Sequence, residues 1–261
     1  MTHYADLLPI AHHAVGLAHG IMTTMQPGVL TAKGDRDMAS EVDYAIEEQV
    51  RAFLSHKTPD VGFLGEENGT SGSTNDLMWA LDPVDGTVNF VHGSPLCAIS
   101  LGLIVGSRPV LGVIDLPFLG ERYSAVEGAG AEADGRRITV SSVSKVSEAV
   151  VAVGDYAVGD RAAQKNSERF AMTERLTAKV QRIRMHGSAA IDLAWLAAGR
   201  VDAIAMLANK PWDTAAGVII AREAGAQVVD RDGLPHDTCV QSTVAAHPAL
   251  LPAVLSLVAG A

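Results

Sequence analysis

The sequence is poor in aromatic residues and in cysteine. Phe, Trp and Tyr make up 5% of its 261 residues, and small aliphatic residues and glycine dominate instead, which suits helices packed closely on sheets. The two cysteines, Cys97 and Cys239, form no CxxC or Cys/His pattern, and this argues against a zinc site. We expect both to be buried free thiols.

Basic charge is also scarce. The chain has 20 Lys and Arg residues against 30 Asp and Glu residues, a formal net charge of −10. Nucleic-acid-binding proteins usually present a basic face, and no Lys/Arg cluster supplies one here. We therefore expect no nucleic-acid partner. An anionic substrate would have to be attracted locally, by bound cations.

Long apolar runs are missing as well. No uninterrupted apolar segment reaches about 18 residues, so no membrane span is predicted. The first basic residue is Lys33, so the N-terminus lacks the basic region of a signal peptide, and we expect a cytoplasmic location by default. Hydrophobic content of 48% is that of a globular protein with a sizeable core.

Apolar periodicity predicts an α/β fold. Helices are predicted over 5–25, 40–56, 188–198, 212–224 and 248–258. Strands are predicted over 61–64, 78–81, 98–105, 109–115, 122–126, 137–140, 150–153, 180–185, 201–207 and 225–230. The polar, glycine-containing stretch 32–37 is expected to be an exposed, mobile loop.

Strands followed by helices in both halves indicate a layered α/β architecture. A boundary falls near 143–150. We expect an N-terminal half, 1–145, that carries most of the acidic motifs, and a C-terminal half, 146–261, within one compact unit.

Two aspartates, Asp82 and Asp85, lie in the stretch Asp82-Pro-Val-Asp-Gly-Thr87 at the end of a predicted strand. Asp-Pro and Asp-Gly are common turn dipeptides, but a turn alone does not explain two carboxylates three residues apart. A tight turn could direct both toward one site, with the Val84 carbonyl between them. A short helical turn is expected to start near Thr87, and a helix N-terminus can bind phosphate.

Two more acidic positions, Glu66 and Asp213, also lie beside apolar sequence. Glu66 could belong to a solvated turn, and Asp213 could be a helix N-cap, a role compatible with metal binding. Carboxylates gathered in a dry site repel one another, so a cation is the simplest reason to keep them together. Oxygen ligands favour a hard divalent ion such as Mg²⁺.

Two further polar residues have ordinary structural interpretations. Asp43 lies on the second predicted helix, where a solvated helix face is its simplest reading. His186 could be a general base, but we favour a structural histidine. There is no P-loop and no GxSxG nucleophile elbow in the sequence.

Three segments together resemble the inositol monophosphatase family in order and spacing. They are Gly65-Glu66-Glu67, Asp82-Pro-Val-Asp-Gly-Thr-Val-Asn-Phe90 and Trp212-Asp-Thr-Ala-Ala-Gly217, and the resemblance extends over about 33–230. It implies a layered αβαβα sandwich, a homodimer, and lithium-sensitive hydrolysis of a small phosphorylated metabolite. It also implies Mg²⁺ as cofactor, with Mn²⁺ as a substitute.

The resemblance implies a role for each matching position. Two or three metal ions would be bound by Glu66, Asp82, the Val84 carbonyl, Asp85 and Asp213. Glu66 and Thr87 would orient and activate the attacking water, and Asp43 would tune that proton path. The substrate would contact Asp85, Gly86, Thr87, Gly187, Ser188, Ala189 and Asp213, with the amides of Gly86 and Thr87 on the phosphate. Lys33 would begin the loop that shields the metals.

The chain departs from the family pattern at Met206. Relatives that bind inositol tend to have a glutamate seven residues before the aspartate of the Trp-Asp motif, and a thioether accepts hydroxyl hydrogen bonds poorly. Our best single substrate is myo-inositol 1-phosphate. The alternatives are histidinol phosphate and fructose 1,6-bisphosphate, or a regulatory binding protein on the same fold without turnover, against which the intact carboxylate set argues.

Overall fold

The computed structural model describes residues 4–34, 37–73 and 76–260. Its helices are α1 (Leu8–Thr24), α2 (Glu41–Lys57), α3 (Thr87–Val91), α4 (Ala162–Thr177), α5 (Ala189–Ala197), α6 (Pro211–Glu223) and α7 (Leu251–Ala259). Its strands are β1 (Leu30–Gly34), β2 (Asp37–Ser40), β3 (Gly62–Gly65), β4 (Gly69–Gly72), β5 (Leu77–Asp85), β6 (Ala98–Val105), β7 (Arg108–Leu116), β8 (Glu121–Val126), β9 (Gly130–Ala133), β10 (Arg136–Arg137), β11 (Val150–Val153), β12 (Arg182–Arg184), β13 (Ala203–Met206), β14 (Gln227–Val229) and β15 (Thr243–Ala246).

Two sheets form the framework. The larger has the order β10-β9-β8-β7-β6-β5-β3-β4, and the smaller has the order β12-β11-β13-β15-β14. Among the described strands of the larger sheet, β3 and β5 pair in parallel and the other neighbours pair antiparallel. In the smaller sheet β11 pairs in parallel with both β12 and β13. The parallel pairs matter for the site, because their carboxyl ends lie at the same sheet edge.

Helices cover the sheets on both sides. Helices α1 and α2 pack on one face of the larger sheet, where Ile46, Trp79 and Leu101 share a core. Helix α6 lies on its other face so closely that a Cβ on Gly112 would come within 2.5 Å of the Ala216 carbonyl oxygen. Helices α5 and α6 then contact the smaller sheet, whose outer face is covered by α4 and α7. The order helix, sheet, helix, sheet, helix confirms the predicted αβαβα sandwich.

The two sheets fall on either side of residue 145, but α6 from the second half packs against β5 to β9 of the first. The division into halves 1–145 and 146–261 stays a prediction. Within the described ranges, no helix has the length and apolarity needed to cross a bilayer. Both cysteines are free, and Cys97 is buried, but Cys239 is exposed, contrary to expectation.

Several local predictions were wrong. The stretch 32–37 is not simply a loop, because β1 and β2 form an antiparallel hairpin there; residues 35–36 lie outside the described part. The strand predicted over 137–140 ends at Arg137, since the Val140 amide bonds instead to the Ala224 carbonyl beyond α6. Helix α4 was not predicted, because it buries only Arg169, Met172 and Leu176 and so carries a weak apolar pattern.

Candidate active site

A pocket of about 230 Å³ lies where strands of both sheets end. Six acidic residues line it: Glu66, Asp82, Asp85, Asp155, Asp192 and Asp213. The rest of its wall is Val84, Gly86, Thr87, Gly154, Gly187, Ser188, Ala189, Met206 and Ala208. The structure thus brings together every predicted site residue except Asp43, which lies behind Thr87.

The end of β5 positions the central aspartates. Its pairing with β6 shifts register between Asp82 and Asp85, so the strand bends there. The Val84 amide donates to Asp82 Oδ1 at 3.1 Å, which holds that carboxylate inside the turn. Gly86 follows with φ +90°, and a Cβ there would lie 3.0 Å from the Leu96 carbonyl oxygen. Glycine is therefore required where β5 passes into α3.

Asp85 links the two halves of the molecule. Its carboxylate accepts hydrogen bonds from the Ser188 hydroxyl at 2.9 Å, the Ala189 amide at 3.3 Å and the Ala190 amide. These donors belong to the first turn of α5 and its N-cap. A negative charge is favourable at a helix N-terminus, so Asp85 anchors α5 to the pocket wall.

Asp213 is not the N-cap of α6 as the sequence allowed. The helix begins at Pro211 with Lys210 as N-cap, and Asp213 is the third helical residue. Its Oδ2 accepts the Lys210 amide at 2.6 Å, the return bond of a capping box.

The loop before α6 is held by a buried polar chain. His236 Nε2 lies 2.9 Å from Thr243 Oγ1, which donates to Asn209 Oδ1 at 3.0 Å. The hydroxyl can give only one proton, so this network assigns the His236 proton to Nε2. His236 Nδ1 is buried with no hydrogen-bond partner. Burial, with a further contribution from Arg222, lowers the pKa of His236 to about 4.

Asp43 is fully buried and not on a solvated helix face as expected. It is the third residue of α2, and it accepts the Ser40 amide at 2.9 Å and the Ser40 hydroxyl at 2.5 Å. Thr87 Oγ1 lies 3.3 Å from Asp43 Oδ1 and 3.0 Å from the Val84 carbonyl oxygen. Burial raises the pKa of Asp43. The Thr87 hydroxyl is thus within reach of two acceptors.

Glu66 faces the pocket from the turn after β3. Both Glu66 and its neighbour Glu67 form an ion pair with Lys33. Lys33 Nζ lies 2.5 Å from Glu66 Oε1 and 2.9 Å from Glu67 Oε1. Burial would lower the pKa of Lys33, but the hydrogen bonds and charges of the two glutamates outweigh it and raise that pKa. The Glu67 side chain is 0% exposed, and its Oε2 has no hydrogen-bond partner. Burial raises the pKa of Glu67 to about 7, although Lys33 opposes the shift.

The carboxylates crowd one another. Burial, followed by the charges of neighbouring carboxylates, raises the pKa of Asp82 well above its usual range. Burial likewise raises the pKa of Asp85 to about 7, against its hydrogen bonds, and that of Asp213 to about 8. No Lys or Arg lines the pocket among the residues the structure describes. Oxygen ligands with uncompensated charge are the donor set that a hard divalent cation prefers.

Three of the pocket carboxylates are engaged by protein donors. Glu66 binds Lys33, Asp85 binds the start of α5, and Asp213 binds the Lys210 amide. Over the described residues, accordingly, no three or more His, Cys, Asp or Glu side chains are grouped so that they could hold a metal ion as they stand. The residues fit a divalent cation in chemistry and in location.

His186 is held by a carboxylate and an aromatic ring, and its structural role stays a prediction. Its Nδ1 lies 2.5 Å from Asp192 Oδ1, and its ring meets Trp195 edge-on at 4.9 Å. Asn89, which was not predicted as a site residue, donates to the Leu96 and His186 carbonyls at 2.7 and 2.8 Å. These bonds tie α3 to the segment before Gly187.

Two pocket acids were missed from the sequence, Asp155 and Asp192. Asp192 lies inside the apolar helix α5 and gave no local signal. Asp155 follows β11 with only Gly154 between them. The rule that singled out Glu66 and Asp82, an acid at the end of a buried strand, would have found it.

Comparison with known proteins places this site in a family. Residues 9–260 match the model of the inositol monophosphatase family. The chain belongs to this family. It is 36% identical over 226 residues to "Inositol-1-monophosphatase ImpA" of Mycolicibacterium smegmatis, a match that covers 87% of this chain and 82% of that protein.

Two further relatives extend the comparison. "Fructose-1,6-bisphosphatase/inositol-1-monophosphatase" of Thermotoga maritima is 37% identical over 200 residues, 77% of this chain and 74% of that protein. The crystal structure of extragenic suppressor protein suhB from Bartonella henselae superposes with a TM-score of 0.91 at 30% identity, covering 97% and 98% of the two chains. The family assignment and the fold expected from the sequence are confirmed. The chain is a phosphoric monoester hydrolase of a generally Mg²⁺-dependent phosphatase family.

Proposed function

We propose that this phosphatase hydrolyses a polyol phosphate monoester, with myo-inositol 1-phosphate as its best substrate. The observation that carries the proposal is the pocket itself, where six acidic side chains and, within the described residues, no basic one line a cleft beside Thr87. A phosphate could not enter such a site unless cations offset the acidic charge.

The cations would be two or three Mg²⁺ ions, or Mn²⁺, held by Glu66, Asp82, the Val84 carbonyl, Asp85 and Asp213. When bound, such ions lower the pKa of a coordinated water and neutralise charge on the phosphoryl group. Asp82 and Asp85 would hold them most rigidly, because both are buried at the end of a central strand. Glu66 would leave Lys33 to join them.

The chain's own groups would orient the reactants. The Thr87 hydroxyl can accept a hydrogen bond from the attacking water while it donates to Asp43 or to the Val84 carbonyl. Glu66 would accept a hydrogen bond from the other O–H of that water. The amides of Gly86 and Thr87, exposed by the left-handed turn at Gly86, would hold phosphate oxygens. The alcohol part of the substrate would lie against Gly187, Ser188, Ala189 and Asp213. The products would be the free polyol and inorganic phosphate.

Fructose 1,6-bisphosphate is a second candidate substrate. The relatives from Thermotoga maritima and Aquifex aeolicus carry names that join a fructose-1,6-bisphosphatase to an inositol-1-monophosphatase. Histidinol phosphate stays an alternative without a specific observation in its favour. The homodimer and the cytoplasmic location expected from the sequence stay predictions.

The test is phosphate release with Mg²⁺ from these three substrates by the wild-type protein and Asp82→Asn. Asp82 accepts one backbone bond, which an asparagine oxygen can keep, so the variant removes charge and little packing. Loss of even an indirect metal partner typically lowers activity by 10- to 100-fold, so a direct ligand should cost at least about 100-fold. Asp160→Asn, at an aspartate whose side chain is 96% exposed, is the matched control and should keep full activity.

Two outcomes would overturn the proposal. Wild-type activity retained by Asp82→Asn would remove the metal assignment. A wild-type protein that releases no phosphate from any of the three substrates with Mg²⁺ or Mn²⁺ would favour the regulatory binding protein.

A further inference from the structure

One end of the pocket is built from two of the parallel strands of the smaller sheet, β11 and β13. Strands β11 and β13 pair with Val153 opposite Ala205, and the Gly154 amide donates to the Ala205 carbonyl at 3.1 Å. Asp155 and Met206 therefore leave neighbouring strand ends side by side. Met206 is 3% exposed and packs on Gly154, where a Cβ would lie 3.4 Å from Met206 Cγ.

Most polar side chains at this end are already engaged. Asp192 is bound by His186. The Ser188 hydroxyl donates to Asp85 and accepts the Ile191 amide. Met206 and Ala208 offer no useful hydrogen-bonding group. A substrate hydroxyl at this end would need another acceptor.

The Asp155 carboxylate is such an acceptor. It is solvent-accessible, and no hydrogen bond or ion pair of its carboxylate is found with any residue in the described ranges. Its Oδ2 faces Gly187, where a Cβ would lie 3.6 Å away. Gly187 has φ +74°, and a Cβ there would also come within 3.0 Å of Asn89 Nδ2. A glycine at this position therefore leaves the space beside the Asp155 carboxylate open. Burial of the carboxyl against the pocket wall raises the pKa of Asp155.

We infer that Asp155 is the specificity-determining residue for the alcohol part of the substrate, accepting hydrogen bonds from hydroxyl groups of a polyol phosphate. A carboxylate has two oxygens and can accept from two neighbouring hydroxyls at once. Met206 beside it supplies an apolar wall for the carbon face of the ring. This inference rests on the proposed function, because it concerns the same pocket.

The test compares Asp155→Ala, Asp155→Asn and the control Asp160→Ala on two kinds of substrate with Mg²⁺. One is the better of inositol 1-phosphate and fructose 1,6-bisphosphate, and the other is p-nitrophenyl phosphate, whose alcohol part has no hydroxyl to donate. Asp155→Ala should lower kcat/KM for the polyol substrate by about 10- to 100-fold, the usual effect of losing a hydrogen bond to a charged group. Its kcat/KM for p-nitrophenyl phosphate should stay within about two-fold of wild type.

The other variants sharpen the result. Asp155→Asn keeps one oxygen acceptor without the charge, so its loss should be smaller than that of Asp155→Ala. Asp160→Ala should match wild type on both substrates.

Equal losses on both substrates would mean a structural role and would overturn the inference, as would unchanged kcat/KM for the polyol. These outcomes differ from failure of the proposed function, in which the wild-type protein hydrolyses neither substrate.

Discussion

Replacing Lys33 by methionine should destabilise the protein measurably when divalent ions are absent. Lys33 is the cation that lies between Glu66 and Glu67. Methionine keeps the apolar length of the lysine stem, so packing of that stem is largely preserved. What the change removes is one positive charge beside two carboxylates, of which Glu67 is fully buried.

The size of the effect follows from burial. Exposed ion pairs contribute about 0–1 kcal/mol, whereas removal of one partner of a buried pair costs about 3–5 kcal/mol. The Lys33 and Glu66 side chains are 21% and 22% exposed and that of Glu67 is 0%, so we expect a value between these limits, about 2 kcal/mol. For a chain of this size that corresponds to a Tm lowered by about 4–8 °C.

The assay is thermal unfolding in EDTA at pH 7.5 and low salt. Lys145→Met is the matched control, because the Lys145–Glu148 pair is 3.1 Å long and its side chains are 74% and 56% exposed. Its Tm should shift by less than about 1 °C. In saturating Mg²⁺ the difference in Tm between Lys33→Met and wild type should become smaller, since the proposed ions would neutralise Glu66 in place of lysine.

The reasoning would be refuted if Lys33→Met unfolded within about 1 °C of wild type in EDTA. An equal decrease in the Tm of Lys145→Met would contradict the prediction as well, because the effect would then not depend on burial.

The remaining predictions concern buried titratable groups. Asp82→Asn should raise the Tm in EDTA at pH 7 by at least about 4 °C. The folded-state pKa of Asp82 is raised, and a neutral amide does not carry the free-energy cost of a buried carboxylate repelled by its neighbours. A lowered Tm would contradict this prediction. The pKa of His236 is lowered to about 4 from an unfolded value of about 6.5, so the unfolded chain binds the proton first as pH falls through this window. Between pH 7 and 5 the wild-type protein should therefore lose about 1–2 kcal/mol of unfolding free energy relative to His236→Gln, measured by urea unfolding. If the unfolding free energies of the wild-type protein and of His236→Gln changed in parallel with pH, His236 would not titrate as the structure requires.

Much of the fold could be predicted from periodicity. Helix α2 shows why: its apolar residues Val42, Ile46, Val50 and Leu54 recur on one face and are all buried. The prediction failed where burial is one-sided and sparse, as in α4, or where backbone partners come from distant segments, as for Val140.

The metal-site candidates could be predicted because they lie within short motifs at the ends of strands or helices. Asp82 and Asp85 lie at a strand end and Asp213 lies in a first helical turn, so each could be recognised from its own local motif. Roles that depend on distant partners could not be predicted in this way. Asp43 looks solvated in sequence, but in the structure it is buried and faces Thr87, which lies 44 residues further along the chain.

Contiguous sequence motifs identified four of the pocket carboxylates, Glu66, Asp82, Asp85 and Asp213, and the family to which this protein belongs. The packing of the layers fixed the groups that face those carboxylates, Lys33 across from Glu66 and the α5 amides on Asp85, and it placed Asp155 beside Met206. Charge interactions and desolvation depend on distances in space, and residues far apart along the chain acquire those distances only when the layers pack.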